Sequence, residues 1–214
     1  MHTWIKICGT TCLEDALNSI EAGADALGFI FAPSKRQVSP EQAQQIISQL
    51  PQGVERIGVF MNSPASEIAD IVDKVELTGI QMHGEESPAE VYNCLPKDRR
   101  NDLRKIKTVL VNDNLQSKLK SNEDNKDIID AWLLDSGAGS GRTFDWQAAR
   151  NKLDGRQSRI IIAGGLTPEN VAGAIGIFHP WGVDVVSGVE RAPGRKGQEK
   201  LKAFVEAVRK VEKI

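Results

Sequence analysis

The chain has 214 residues, of which 40% are hydrophobic, 26% charged and 5% aromatic, a balance that fits an ordinary globular protein and excludes disordered, fibrous and membrane-embedded classes. Lys and Arg number 27 against 29 Asp and Glu, for a net charge of −2, so there is no global positive field to hold a phosphodiester backbone or an anionic membrane. The expectation is a cytoplasmic protein with no nucleic-acid or membrane partner: Cys8, Cys12 and Cys94 are too few and odd in number for a disulfide scaffold, and no signal peptide or run of about eighteen apolar residues is visible.

Short β-branched apolar runs alternate with longer segments of helical period, about eight times along the chain. The first strand is expected over residues 4–8. Thr11 and Glu14 then form a capping-box pattern that opens a helix through Ala22, closed by Gly23. A second strand over 26–31 precedes Ser39-Pro40-Glu41, which reads as N-cap, first-turn proline and first-turn acid of a helix to Leu50. Strand 56–60 and helix 63–73 repeat the scheme, as do strand 77–82 and a helix started by Ser87-Pro88. Residues 104–110 read as the fifth strand, and 112–127 are polar and ambiguous between helix and loop. Strand 128–134, helix 144–153, strand 159–163, helix 168–177, strand 182–186 and helix 197–211 complete the series. Eight strand-helix pairs without a linker or composition shift predict a single (β/α)₈ barrel domain over residues 1–214. An open doubly wound sheet fits less well, because Cys8-Gly9-Thr10-Thr11 lacks a Gly-x-Gly-x-x-Gly first turn.

In such a barrel the chemistry sits at the carboxyl ends of the strands. This rule selects Cys8, Arg36, Gln81, His83, Asp135, Gly164, Gly165, Ser187 and Gly188. The glycine-rich turns Gly164-Gly165 and Ser187-Gly188 follow strands seven and eight, where this fold holds phosphate, so a phosphorylated small-molecule substrate is expected. Either turn alone reads equally well as tight backbone geometry. Cys8 is a small buried hydrophobe or a base whose thiol is lowered by nearby cations. Lys6, if it points into the barrel, would favour the thiolate. Cys12 suggests a C-x₃-C metal pair with Cys8, but no matching cluster exists, so no metal is expected and Cys12 and Cys94 read as packing residues. Asp135 opens a glycine-rich loop and is either an acid raised by burial or a turn aspartate bonding its own loop. Arg36 is a solvated charge or a carboxylate clamp, and His83 is structural or functional.

The whole chain resembles the phosphoribosylanthranilate isomerase family of tryptophan biosynthesis. The resemblance rests on Lys6-Ile7-Cys8-Gly9, Gly28-Phe29-Ile30-Phe31, Ser34-Lys35-Arg36, Gln81-Met82-His83-Gly84-Glu85, Leu134-Asp135, Ala163-Gly164-Gly165-Leu166 and Gly182-Val183-Asp184-Val185 running to Ser187-Gly188-Val189-Glu190. It implies a cofactor-free Amadori rearrangement, with Cys8 as general base, Asp135 as general acid and Arg36 on the anthranilate carboxylate. Lys6, Gln81, His83 and Asp184 would complete the substrate-binding set, and Gly164, Gly165, Ser187 and Gly188 the phosphate site. A monomer is expected over a homodimer. The chain departs from the family pattern in the short loop Ala138-Gly139-Ser140-Gly141, at Thr10, and at Gly197, where an aspartate that would cap the last helix is missing.

Other readings have recognisable signatures. A histidine-pathway isomerase would carry an aspartate at Cys8, and an epimerase-like barrel would need metal-ligating histidines at strand ends. A binding module that had lost its chemistry would not keep Cys8 and Asp135.

Overall fold

The computed structural model describes residues 2–121, 125–137, 143–153 and 159–212. Eight strands alternate with helices: β1 (Trp4–Cys8), α1 (Leu13–Ala22), β2 (Ala26–Ile30), α2 (Pro40–Ile47), β3 (Glu55–Phe60), α3 (Ala65–Val75), β4 (Gly79–Met82) and α4 (Pro88–Cys94). There follow β5 (Arg104–Leu110), α5 (Leu115–Ser121), β6 (Ala131–Asp135), α6 (Trp146–Asn151), β7 (Ile160–Ile162), α7 (Val171–Phe178), β8 (Gly182–Val185) and α8 (Gln198–Val211). Neighbouring strands pair in parallel in chain order, and β8 returns to β1 with Trp4 opposite Gly182 and Lys6 opposite Asp184. The sheet is a closed barrel, as the eightfold alternation predicts.

Alternation along the strands builds two cores. Ile5 and Ile7 of β1 point outward into the large cluster beneath the helices, whereas Trp4 joins Ala26, Ile57, Ile106, Ala131, Leu133, Ile161 and Ala163 in the barrel interior. A fully buried Ile, Leu or Phe contributes about 1.5–3 kcal/mol, so these two layers dominate the stability. Trp4 stacks on Trp181 at 4.9 Å between ring centroids, closing the amino-terminal end. The sixth residue of the chain, by the same two-residue period, points its charged side chain into the barrel rather than outward.

Helix starts follow the expected chemistry where the cap is local. Ser39 accepts from Gln42 N and Ser87 from Glu90 N, each with proline in the first turn, contacts worth about 1 kcal/mol apiece. Three expectations are corrected. The capping box on α1 does not form: Cys12 is the N-cap without a side-chain bond, because Thr11 Oγ1 donates to Gly194 O at 2.6 Å and Glu14 pairs with Arg195. The helix after β7 begins at Val171 rather than Pro168, since Asn170 Oδ1 accepts from Thr167 N while its Nδ2 donates to Gly165 O, bracketing the turn. Cys94 is exposed rather than packed. Gly197 caps α8 with no side-chain bond, as its missing carboxylate implies. Within 112–127 a short helix, α5, does form.

An element absent from the expected series follows β8. A 3₁₀ turn, Ser187–Val189, leads into a small antiparallel hairpin of β9 (Glu190–Ala192) and β10 (Arg195–Lys196). It packs over the carboxyl end of β1.

Candidate active site

A cavity of about 470 Å³ opens at the carboxyl ends of the strands, within the size range of small-molecule sites. Cys8, Arg36, Gln81, His83, Asp135, Gly164, Gly165, Asp184 and Ser187 all line it. The strand-end rule therefore brings together residues spread over most of the sequence. Next to it, a hollow of about 340 Å³ is bounded by Gly165, Ser187, Gly188 and Lys200, so the two glycine-rich turns converge on one spot. At Gly188 a Cβ would fall 1.9 Å from Leu166 O; the loops after β7 and β8 touch there only because the side chain is absent.

Cys8 ends β1 and is buried. Its Cα partner on β2 is Gly28, where a Cβ would lie 2.5 Å from the Cys8 sulfur, so the thiol occupies space that a glycine leaves. Lys6 does not line the cavity. It lies one layer lower, its side chain fully buried, and Nζ donates to Asp184 Oδ1 at 2.7 Å and Gln81 Oε1 at 2.9 Å. Gln81 in turn donates to Thr108 Oγ1 at 3.2 Å and lies 3.4 Å from His83 Nδ1. This chain of bonds fixes the cavity floor.

The electrostatics correct one expectation. The Cys8 thiol is pushed above its ordinary value, because burial outweighs the lowering effects of Lys6 and Lys196, and Asp184 adds to the rise. The ammonium of Lys6 is raised: burial opposes its charge, but Asp184 and Cys8 together favour it more strongly. The cations thus limit the rise at Cys8 rather than reverse it.

Asp135 ends β6 at the cavity wall, half-buried, and its Oδ1 accepts from Gly137 N at 2.8 Å. The turn-forming role and the cavity-facing position coexist, since the second carboxylate oxygen is left over by the turn. The short loop Ala138-Gly139-Ser140-Gly141 lies outside the described residues.

Arg36 is neither a free surface charge nor an empty clamp. Its Nε and Nη2 donate to Glu190 Oε1 and Oε2 at 2.7 and 2.6 Å, a bidentate pair that raises the guanidinium. Lys196, almost fully buried, donates to Cys8 O at 2.6 Å, Val186 O at 3.3 Å and Glu190 Oε1 at 3.4 Å. Sequence reasoning missed Glu190 and Lys196 as parts of the site. The available signal was a lysine and a glutamate in the segment between the last strand and the last helix, but nothing local marks that segment as a hairpin.

Among the described residues, one group of ligand-type side chains is close enough to hold a metal ion: Cys12, Glu14 and Asp15. Its carboxylates already accept from Arg195 and from Lys196 N, and it lies outside the cavity lining. Among the described residues no helix is long and apolar enough to cross a membrane.

The arrangement so far is a thiol, a carboxyl, a guanidinium and an anion-sized hollow around one cavity. The family model of N-(5'-phosphoribosyl)anthranilate (PRA) isomerase matches residues 5–207. The chain belongs to this family. It is 44% identical over 203 residues to N-(5'-phosphoribosyl)anthranilate isomerase of Pelobacter propionicus, covering 94% of this chain and 93% of the relative. A solved phosphoribosyl anthranilate isomerase in complex with reduced 1-(o-carboxyphenylamino)-1-deoxyribulose 5-phosphate superposes with a TM-score of 0.81 at 37% identity, covering 98% of this chain and 100% of that one. The structure of monomers made from dimeric phosphoribosylanthranilate isomerase of Thermotoga maritima gives the same TM-score, identity and coverage. Membership agrees with the resemblance read from the sequence.

Proposed function

We propose that the protein isomerises N-(5-phosphoribosyl)anthranilate to 1-(2-carboxyphenylamino)-1-deoxyribulose 5-phosphate, the Amadori step of tryptophan biosynthesis, by general acid-base catalysis without a cofactor. Asp135 gives a proton to the ribose ring oxygen as the bond from that oxygen to C1′ breaks, leaving a protonated Schiff base. The Cys8 thiolate then takes the proton from C2′, and the electron pair moves to the C1′–C2′ bond, neutralising the iminium as an enolamine. Ketonisation of the enolamine gives the ketose amine, so the reaction consumes no oxidant, reductant or water.

The observation that carries this reading is that Cys8 and Asp135, from β1 and β6, line one cavity whose rim holds the Gly165, Ser187 and Gly188 hollow. An acid and a base on separate walls suit a sugar that must be protonated at one atom and deprotonated at another. The phosphate belongs to the hollow, where the backbone comes close because glycines line it. Arg36 holds the anthranilate carboxylate, while Gln81, His83 and Asp184 shape the remaining contacts and Lys6 acts from beneath.

The protein works in the cytoplasm, in keeping with its free cysteines, and as a monomer, in keeping with a described surface whose exposed large hydrophobic side chains are Leu17 and Met61. A dimer mass by light scattering would overturn the monomer. The activity is tested with freshly generated phosphoribosylanthranilate, whose fluorescence decays on isomerisation. Decay well above the uncatalysed rate is expected with the purified protein; a folded protein giving only the background rate sinks the isomerase reading.

A further inference from the structure

The β9–β10 hairpin reaches two members of the site by side chains that have no part in the proton transfers. Glu190 Oε1 accepts from Arg36 Nε at 2.7 Å, from Gly194 N at 3.1 Å and from Lys196 Nζ at 3.4 Å, and its Oε2 accepts from Arg36 Nη2 at 2.6 Å. The carboxylate is therefore saturated, and at 5% side-chain exposure it is shielded from water. Lys196 offers three ammonium donors to three acceptors, two of them main-chain carbonyls of β1 and the segment after β8. The stem of Arg36 lies against Gly9, where a Cβ would come 2.8 Å from Arg36 Cδ.

From this geometry we infer that Glu190 is a positioning residue for substrate recognition: it holds the Arg36 guanidinium so that its Nη1 side meets the carboxylate of the ligand's aromatic ring. The inference rests on the reading of Arg36 given above and deepens it. Two physical points carry it. A fork-fork pair uses Nε and one Nη2 hydrogen, which fixes the plane of the guanidinium and leaves the Nη1 side for a second carboxylate. The rotamer freedom of a long side chain is then lost on folding rather than on binding. A glutamate beside a recognition arginine would normally cancel its attraction for an anion. Here Glu190 is shared between Arg36 and the Nζ of Lys196 at 3.4 Å, so its charge is not spent on Arg36 alone, although burial lowers the Lys196 ammonium.

Discrimination between positioning and simple structural support needs two ligands. The first probe is reduced 1-(o-carboxyphenylamino)-1-deoxyribulose 5-phosphate and the second is the same compound built on aniline, which lacks the ring carboxylate. Calorimetric titration of the wild type, Glu190→Gln, Arg36→Ala and the double variant is compared with turnover and thermal melting of each. Glu190→Gln is expected to weaken the carboxylate-bearing probe about tenfold and to raise KM by a similar factor with kcat within about twofold, leaving the aniline probe unchanged. In the Arg36→Ala background it should add no further loss.

Equal weakening of both probes, no weakening of either, or a full additional loss in the double variant overturns the inference. Should Glu190→Gln unfold, Glu190→Asp keeps the charge with a shorter reach and is expected to show a smaller loss confined to the carboxylate-bearing probe; a loss on both probes would again be decisive against positioning. A wild type that turns over phosphoribosylanthranilate but binds the two probes alike removes the Arg36 assignment and this inference with it. A wild type without turnover removes the isomerase reading alone, because the two-probe comparison still decides the role of Glu190.

Discussion

The two walls of the cavity that carry the proposed base and acid are built in different ways. Cys8 is buried, faces Gly28 on the adjacent strand, sits above the Lys6–Asp184 pair and has its own carbonyl held by Lys196. Asp135 is half-buried at the end of β6, and its nearest support is the amide two residues on. A thiol with its ordinary pKa is mostly neutral near pH 7, so a thiolate base draws on cations brought to it from elsewhere in the fold. A carboxyl that serves as an acid keeps its proton and has no charge to gain, so a single local hydrogen bond is enough to orient it. The base side is consequently a product of the whole barrel, and the acid side is largely a product of its own loop.

Removing each group is the strongest way to break this comparison. Cys8→Ala should lower kcat/KM about 10⁴-fold and Asp135→Asn about 10³-fold, with modest changes in KM, as read by the fluorescence decay. Asparagine keeps an oxygen for Gly137 N, so the Asp135 loss is expected to be chemical, with an unchanged melting temperature. A Cys8→Ala variant retaining near-normal turnover would remove the thiol from the mechanism.

Lys6→Met tests whether the base side depends on the buried charge next to the thiol. It leaves the Asp184 carboxylate buried without its cation, which should lower the unfolding free energy by about 3 kcal/mol in urea titration. It should also move the pH profile. In the proposed mechanism the thiolate is the active form, so kcat/KM is expected to rise with pH as Cys8 ionises, and burial places that rise above the ordinary thiol value. Lys6 works against burial, and its removal should carry the rise to still higher pH. A profile that stays in place would separate Lys6 from Cys8, and one that moves to lower pH would reverse the sign of the argument.

The smallest expected effect sharpens the comparison. In Gly28→Ala the new Cβ would fall 2.5 Å from the Cys8 sulfur, forcing the thiol aside at a cost of about 1–3 kcal/mol in stability. Turnover should fall about tenfold as the thiol leaves its aligned position. Wild-type kinetics in this variant would show that the site tolerates a displaced thiol.

Much of this was legible in local chemistry. Ser39-Pro40 and Ser87-Pro88 mark helix starts because the capping oxygen and the amide it meets lie within three residues. The alternation within Trp4–Cys8 separates inward from outward side chains because a strand has a period of two. Thr11 misled for the opposite reason: its hydroxyl found Gly194, 183 residues away, and no local pattern can register that competitor. Glu190 and Lys196 were missed on the same ground, since they meet the cavity only through Arg36 and Cys8, from which they are far apart in the chain.

The amino-acid sequence by itself determined the eightfold strand-helix order, hence the barrel, and through the strand-end rule eight of the residues that line its mouth, the proposed acid and base among them. Those conclusions follow from periodicity and from turn residues, which act over a few positions. The tertiary structure alone decided the balance of charges: that Lys6 lies beneath the floor, that the Cys8 thiol is raised rather than lowered, and that Arg36 arrives already held by Glu190. Burial and charge pairing depend on distances between strands far apart in the chain, and only the closed barrel sets those distances.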